Sequence, residues 1–352
     1  MESFITFENI RRYILLVLEK IKVDTLSADS CAESLAEASL KGIDSHGIRL
    51  LPHYVDAVLN GRIVTEADIK IECTTPCIAK MDAKHSFAYG SGVRAIDKAI
   101  DMAHLYGVGI VGVSNSNHMG GLFHYANRAA QKDMVGLVMT STTPKMSTPN
   151  SKKSFFGTNP ICVSAPMMDE EPFCFDAATT ILTGNKIKHY KSLNQELPLD
   201  AATNIEGKNT IDPNLAYYLK GIGDYKGFGL AMIVDIFSSF LNNMPFASDV
   251  SSMYESSPSD KRYLGHFFMA LNISAFDSTE VFKQNLQKLC EQIRNSERVD
   301  AMIPVYVPGD KEKQTKEQRL MTGIPVSSQL TKQFVDIAQK LNISTQLLNS
   351  LL

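Results

Sequence analysis

The chain has 352 residues, 44% hydrophobic and 21% charged, enough to bury a large core and long enough for two or three domains. Its formal net charge of −3 lacks the basic excess that marks a nucleic-acid footprint. The start has no basic leader or small-residue cleavage site, and the longest apolar run, 229–241, is broken by Asp235 and too short for a bilayer, so a cytoplasmic protein is expected.

Taken in chain order, Phe7, Ile10, Ile14, Val17, Leu18 and Ile21 recur at helical spacing and predict an amphipathic first helix. A second helix is expected over 28–41, capped by Ser27 and stopped at Gly42. The turn Ile43-Asp-Ser-His-Gly47 then leads to a third helical stretch containing Tyr54 and Val58. Residues 69–81 alternate as strands do, 91–105 read as a helix, and the β-branched run 108–113 reads as a buried strand. That strand stops at Ser114-Asn-Ser-Asn-His-Met-Gly-Gly121, before a helical pattern through Phe123, Ala126, Arg128 and Ala130. Further strands are expected at 135–140, 161–165 and 173–175, the last ended by Asp176, with a polar loop at 144–153. The polar section 188–214 is expected to loop over the surface. Gly223-Asp-Tyr-Lys-Gly-Phe-Gly229 opens an apolar helix over 230–241. The rest reads as a loop at 251–261, a strand at 267–273, a helix at 282–293, a solvated charged face at 310–319 and a final helix at 329–341.

Several nucleotide and metal motifs fail on context. Gly107-Val-Gly-Ile-Val-Gly112 fits G-x-G-x-x-G, but its glycines lie at a helix end and inside a strand rather than between a strand and a helix N-terminus. Gly90-Ser-Gly-Val-Arg-Ala95 opens a helix without a strand directly before it, and the Gly-Asp-Tyr-Lys-Gly stretch lacks the spacing and ending of a P-loop. The six cysteines are scattered as reduced thiols would be, and Cys73 and Cys77 have no second pair to complete a zinc site. His46, His53, His118 and His124 could be imagined around a metal, but no H-E-x-x-H or matched carboxylate pattern accompanies them, and no metal is expected.

What remains is a set of polar residues at the ends of apolar segments. His118 sits at a strand-to-helix turn, where open α/β sheets collect ligands and the next helix offers unpaired N–H groups. From this stretch alone it is either an acid/base catalyst or a cap for a polar turn. His46 is a second loop histidine able to take a proton near neutral pH, Lys226 can hold phosphate or polarise a carbonyl, and Asp176 can accept ribose hydroxyls. Ser45 beside His46 suggests nucleophilic catalysis only weakly, because no G-x-S-x-G elbow is present.

Five motifs appear in order: Gly42-Ile-Asp-Ser-His-Gly47, Asn115-Ser-Asn-His-Met-Gly120, Gly157-Thr-Asn-Pro160, Phe175-Asp-Ala-Ala-Thr-Thr180 and Tyr225-Lys-Gly-Phe-Gly-Leu230. Together they resemble the malate/L-lactate dehydrogenase family that lacks a Rossmann domain, with ureidoglycolate, sulfolactate and diketogulonate oxidoreductases among its members. The segment Pro245-Phe-Ala-Ser-Asp-Val-Ser-Ser-Met-Tyr254, with Leu264-Gly-His266 after it, is most similar to the ureidoglycolate dehydrogenase branch. The resemblance implies an α/β fold with a mixed central sheet, a non-Rossmann site for the nicotinamide cofactor, and a helical domain built from both chain ends. The implied division is an N-terminal helical part over 1–72, a cofactor-binding α/β domain over 73–222, and a C-terminal part over 223–352 whose strand near 264–274 joins the sheet.

Carried over by position, the resemblance makes His118 the proton acceptor with His46 beside the substrate. Ser45 and Asn159 are expected as substrate contacts, and Arg49, one place off the family position, is expected either to reach the substrate carboxylate or to lie on the surface. Thr142, Asp176, Ala177, Ala178, Lys226 and the turn Pro308-Gly309-Asp310 become cofactor contacts. The implied activity is an NAD(P)-dependent oxidoreductase moving hydride between nicotinamide and a small 2-hydroxy or 2-keto acid, with NAD expected and NADP as the alternative. The implied partner is a second copy of the chain in a homodimer, with no nucleic acid and no membrane. The rivals are an inactive or nucleotide-binding homologue and a metal-dependent hydrolase. This sequence also departs from the family pattern. Ile181-Leu-Thr-Gly-Asn-Lys186 replaces an Arg-Gly-Lys-like run, Leu197-Pro-Leu-Asp-Ala201 replaces a segment with proline, glycine and tryptophan, and the usual arginine four residues after His46 is Leu50, with Arg49 one place earlier.

Overall fold

A computed structural model describes residues 3–344. Helix α1 (Phe7–Lys20) turns Ile10, Tyr13, Ile14, Val17 and Leu18 into the core, as the periodicity requires. Helix α2 (Thr25–Leu40) begins earlier than Ser27 suggests, because the carboxylate of Asp24 caps it by accepting the Ser27 N–H at 3.1 Å. Ser27 is instead buried in the first turn, and a Cβ at Gly90 would lie 2.1 Å from its Oγ. A short 3₁₀ turn, Asp44–His46, and a second, Ile48–Leu50, precede helix α3 (Leu51–Leu59).

The site is carried by a seven-stranded sheet. Its strands are β1 (Lys70–Thr75), β2 (Ile78–Asp82), β3 (Val108–Ser116), β4 (Met134–Thr140), β5 (Ile161–Ala165), β6 (Phe173–Ala177) and β7 (Leu264–Asn272), in spatial order β1-β2-β3-β7-β4-β5-β6. Only β2 and β3 pair in parallel, joined through helix α4 (Ala88–Tyr106); the remaining neighbours are antiparallel. Helix α5 (Phe123–Ala130) follows β3. Strand β7 arrives from far along the chain and fills the gap between β3 and β4, with Phe268 opposite Val111 on one side and Val138 on the other. The glycines around β3 serve this packing. Gly107 takes φ +83° to end α4, and a Cβ at Gly109 would lie 1.9 Å from the Ala99 carbonyl oxygen.

The polar section 188–214 does not simply loop over the surface. Helix α6 (Gly184–Ser192) opens it, Leu197, Ala201 and Ala202 are buried, and Ala202–Thr203 joins a small four-stranded sheet with Tyr218–Leu219, Met146–Ser147 and Ser154–Phe156. Scattered short apolar residues carry no period, so neither the strand nor its burial shows in the pattern. Helix α7 (Tyr225–Asp235) starts earlier than its apolar run and continues as a π-helical turn, Ile236–Phe240. It leaves Tyr225, Leu230, Met232, Ile233, Ile236 and Phe240 exposed. After helix α8 (Thr279–Arg294) comes helix α9 (Asp310–Thr322), whose charges are not simply solvated. Asp310 pairs with Arg294 at 2.7 Å, Lys313 with Glu170 at 2.6 Å and Arg319 with Asp44 at 2.7 Å.

The N-terminal and C-terminal parts of the described chain meet. Residues Ser3–Ile5 pair antiparallel with Ile324–Val326, and the buried Tyr13 hydroxyl donates to the Phe334 carbonyl of helix α10 (Ser328–Lys340) at 2.7 Å. Among the described residues no helix is long and apolar enough to cross a membrane.

Candidate active site

Strand β3 delivers His118 to its carboxyl end, where the chain turns through Met119 and Gly120 toward α5. Gly120 adopts φ +73°, and a Cβ there would come within 2.3 Å of the Tyr89 hydroxyl, so glycine lets the turn press against α4. The imidazole is held from behind: its Nδ1 lies 2.6 Å from the Tyr54 hydroxyl, which is 3.1 Å from the Tyr89 hydroxyl. Both tyrosines are fully buried. His46 stacks across from it, ring centroids 5.9 Å apart with the planes 17° from parallel, and its own Nδ1 lies 2.9 Å from Ser45 Oγ. The adjacent Ser-His pair therefore does meet, inside the 3₁₀ turn.

Electrostatics keep these rings neutral. Burial pushes His118 well below its ordinary 6.5, reinforced by His46, His53, Arg262 and His266, and burial together with Arg49 pulls His46 down to about 4. Nearby His53 is also lowered to about 4, by burial and then by Arg62 and Arg262. A neutral imidazole with Nδ1 anchored on a phenol leaves Nε2 for chemistry. With Nε2 as the base, Nδ1–H donates to the Tyr54 oxygen and the Tyr54 hydroxyl donates to Tyr89, an arrangement that overrides the long contact of 3.4 Å from the Gly120 N–H to Nδ1.

Five residues beyond His118, the Phe123 N–H donates to Asp176 Oδ2 at 2.8 Å, tying the helix start to the end of β6. A cleft of about 390 Å³ opens there, with Asp176, Phe123, Lys41, Pro308, Gly309 and Lys311 among its lining. Burial raises the Asp176 carboxyl to about 6 against the two backbone N–H groups that lower it. The residue is nonetheless exposed toward the cleft it lines, so solvent moderates that rise. The chemistry of this wall suits one end of a dinucleotide: a carboxylate to accept ribose hydroxyls, a helix start at Gly309 and lysines for phosphate.

The other expected residues divide clearly. Asn159 is buried with its amide committed inside the protein: Oδ1 accepts the Thr142 N–H at 3.0 Å, and Nδ2 donates to the Ala231 carbonyl at 3.0 Å and to Asp235 Oδ1 at 3.2 Å. These bonds commit the amide to holding Thr142 against α7. Asp310 likewise does not line the cleft, because its carboxylate is taken by Arg294 and the Val307 N–H. Ala177 closes β6, and Thr179 and Thr180 beyond Ala178 are buried and bridge to 221–222 at the start of α7. This brings exposed Lys226 to the same end of the sheet. Arg49 sits in the 3₁₀ turn Ile48–Leu50, exposed, close enough to act on both His46 and Tyr254. His124 turns to Ser30 Oγ at 2.9 Å. Among the described residues no group of three or more His, Cys, Asp or Glu side chains gathers to hold a metal.

Sequence reasoning missed Tyr54, Tyr89 and Arg262. Tyr54 carries a faint signal, a polar-tipped ring at an apolar position of α3 between Leu51 and Val55, which calls for a buried partner to its hydroxyl.

A family model described as malate/L-lactate dehydrogenase matches residues 5–335. The malate dehydrogenase of Pyrococcus abyssi is 32% identical over 94% of this chain and 93% of its own length. The ureidoglycolate dehydrogenase (NAD(+)) of Escherichia coli O157:H7 is 29% identical over 85% of each. Among solved structures, sulfolactate dehydrogenase from Methanocaldococcus jannaschii superposes with a TM-score of 0.92 at 30% identity, covering 98% of this chain and 99% of that one.

Proposed function

Because this chain belongs to the malate/L-lactate dehydrogenase family, we propose that it interconverts a small 2-hydroxy acid and its 2-keto form with a nicotinamide cofactor. NAD is the cofactor of choice and NADP the alternative, in line with the NAD(+) named for the ureidoglycolate relative. The observation that carries this reading is the neutral His118, braced by Tyr54 and facing His46, at the mouth of a turn that ends on the Asp176 cleft.

A bound nicotinamide would supply or receive the hydride. Everything else falls to the protein. Nε2 of His118 takes the hydroxyl proton during oxidation and returns it during reduction, and its depressed pKa makes it an acceptor at neutral pH. His46, oriented by Ser45, packs beside the substrate, and Arg49 receives the carboxylate next to the reacting carbon. Asp176 with the short side chains of Ala177 and Ala178, the Pro308-Gly309 turn, Thr142 and Lys226 hold the cofactor, while Asn159 and Asp310 keep Thr142 and that turn in place. The α/β part over 73–222 carries most of the cofactor contacts, and the segment 223–352 adds Lys226 and the Pro308-Gly309 turn beside the helical part over 1–72. Two copies assemble through the exposed apolar face of α7, and the protein works in the cytoplasm.

A panel of 2-keto acids offered with NADH and with NADPH, read as loss of reduced-nicotinamide absorbance, tests the reading. Turnover supports it. Silence across the panel, with cofactor still bound, makes the chain a nucleotide-binding homologue instead.

A further inference from the structure

Just before β7 the chain buries a guanidinium that has no acidic partner. Arg262 is 3% exposed. Its Nε donates to Ser251 Oγ at 3.0 Å and its Nη2 to Thr143 Oγ1 at 3.3 Å, and both are neutral acceptors. Those two hydroxyls send their own protons to backbone carbonyls, Thr143 to Ser251 and Ser251 to Arg262, so they are fixed in the accepting orientation. The remaining N–H groups of the fork have no bond within the described residues. A buried charge without a counter-charge is costly, and such a group is retained where a partner arrives with the ligand.

Neighbouring Arg62 differs in its surroundings, although its buried Nε also lacks a hydrogen-bond partner among the described residues. It is equally buried, but it donates to the carbonyls of Met253, Ser256 and Ser257, and Asp56 and Asp260 act on it. Arg262 has no such acid; what act on it are Arg62, also a cation, and Tyr254. Its own charge reaches His118, His53 and Tyr254. Arg49 acts on the same Tyr254 and on His46, and it too forms no ion pair within the described residues. Lys188 adds a third cation 6.0 Å from the Tyr254 ring centroid. The charges of two guanidinium groups, neither in an ion pair among the described residues, therefore reach the histidine pair.

We propose that Arg262 is the counter-ion for a second acid group of the substrate, so that with Arg49 on the carboxylate beside the reacting carbon the site selects 2-hydroxy acids carrying two anionic groups. This deepens, and rests on, the hydroxy-acid dehydrogenase reading above. A substrate with one acid group leaves Arg262 buried and unpaired. One with two neutralises it and gains paired hydrogen bonds to a planar fork.

The test compares pyruvate, with one acid group, and oxaloacetate, with two, in the wild-type protein, R262Q and R262K. It is joined by thermal protection of the cofactor-free protein with malonate or acetate. Wild type should favour oxaloacetate, and R262Q should raise its KM on the order of 10²-fold and largely erase the preference for oxaloacetate over pyruvate, because the loss on pyruvate is much the smaller. R262K keeps the charge, loses the fork, and should fall between, which also carries the comparison if R262Q does not fold. Malonate should raise the melting temperature of wild type but not of R262Q, and acetate of neither. Equal losses on both substrates, unaltered oxaloacetate kinetics, or a changed subunit assembly in the variants would overturn the inference. If wild type turns over no keto acid, the dehydrogenase reading fails by itself: Arg262-dependent malonate protection then still supports the anion site, and its absence overturns that as well.

Discussion

The hydroxyl of Tyr54 lies 2.6 Å from Nδ1 of His118, and 3.1 Å on the other side sits the hydroxyl of Tyr89. Both phenols are buried, and burial raises each well above its ordinary pKa, so neither ionises to charge the histidine. Tyr54 can accept from Nδ1–H when His118 is the base, and it holds the ring at one orientation throughout. Replacing Tyr54 with Phe should lower kcat by ~10-fold or more and move the pH profile of turnover, with KM little changed. A merely structural role would cost stability without moving the profile, and the pH dependence of kcat separates the two.

Removing the imidazole is the stronger test. His118→Ala should lower kcat by ~10²-fold or more while cofactor affinity changes little, the scale for losing a general acid/base. Near-normal turnover would transfer the role to His46, its stacked neighbour.

Lys226 opens α7 at the end of the sheet where Asp176 lies, exposed and with no ion pair among the described residues. As a point charge for phosphate or ribose it should matter to binding more than to chemistry. Lys226→Ala is expected to weaken the cofactor in a fluorescence titration with a smaller effect on kcat, and an unchanged titration removes it from the site.

Asn159 joins Thr142, Ala231 and Asp235, and burial raises the Asp235 carboxyl to about 6, against the Ala247 N–H and Asn159 that lower it. Asn159→Ala strands these buried groups, so a loss of about 1–3 kcal/mol is expected in denaturant unfolding, together with weaker cofactor binding as Thr142 loosens. Unchanged stability would mean that the amide is dispensable.

Acid should destabilise the fold earlier than carboxylates alone would require. Burial lowers His46, His53 and His266 to about 4 and His124 to about 3, against an unfolded value near 6.5. Between those limits the unfolded chain binds more protons, so these groups contribute stability that is full above about 6.5 and is lost as pH falls toward 4. Asp235, buried and raised to about 6, acts in the opposite sense between 3.8 and 6, because there the folded state holds the extra proton, and Asp176, exposed to the cleft, adds less. His118 and His85, also lowered by burial, act in the same sense, so six histidines against these carboxyls leave a net fall in melting temperature from pH 7 to pH 5, and a flat or rising curve over that range would refute the balance.

The sequence by itself determined the helices and strands that carry a period or a cap, because side-chain direction follows from backbone geometry. The α1 stripe, the β3 run and the turn that presents His118 are all local facts. It also marked the family through five short motifs. Only the tertiary structure decided what those side chains touch. Tyr54 and His118 are 64 residues apart, and Arg262 and Thr143 are 119 apart, and no local period encodes such meetings. The same holds for Asn159, which looks like a turn residue and is a buried clamp, and for Asp310, which looks solvated and is held by Arg294. Hydrogen bonds and buried charges depend on which groups packing brings within about 3 Å and on what water it removes, and both are properties of the assembled fold rather than of any stretch of chain.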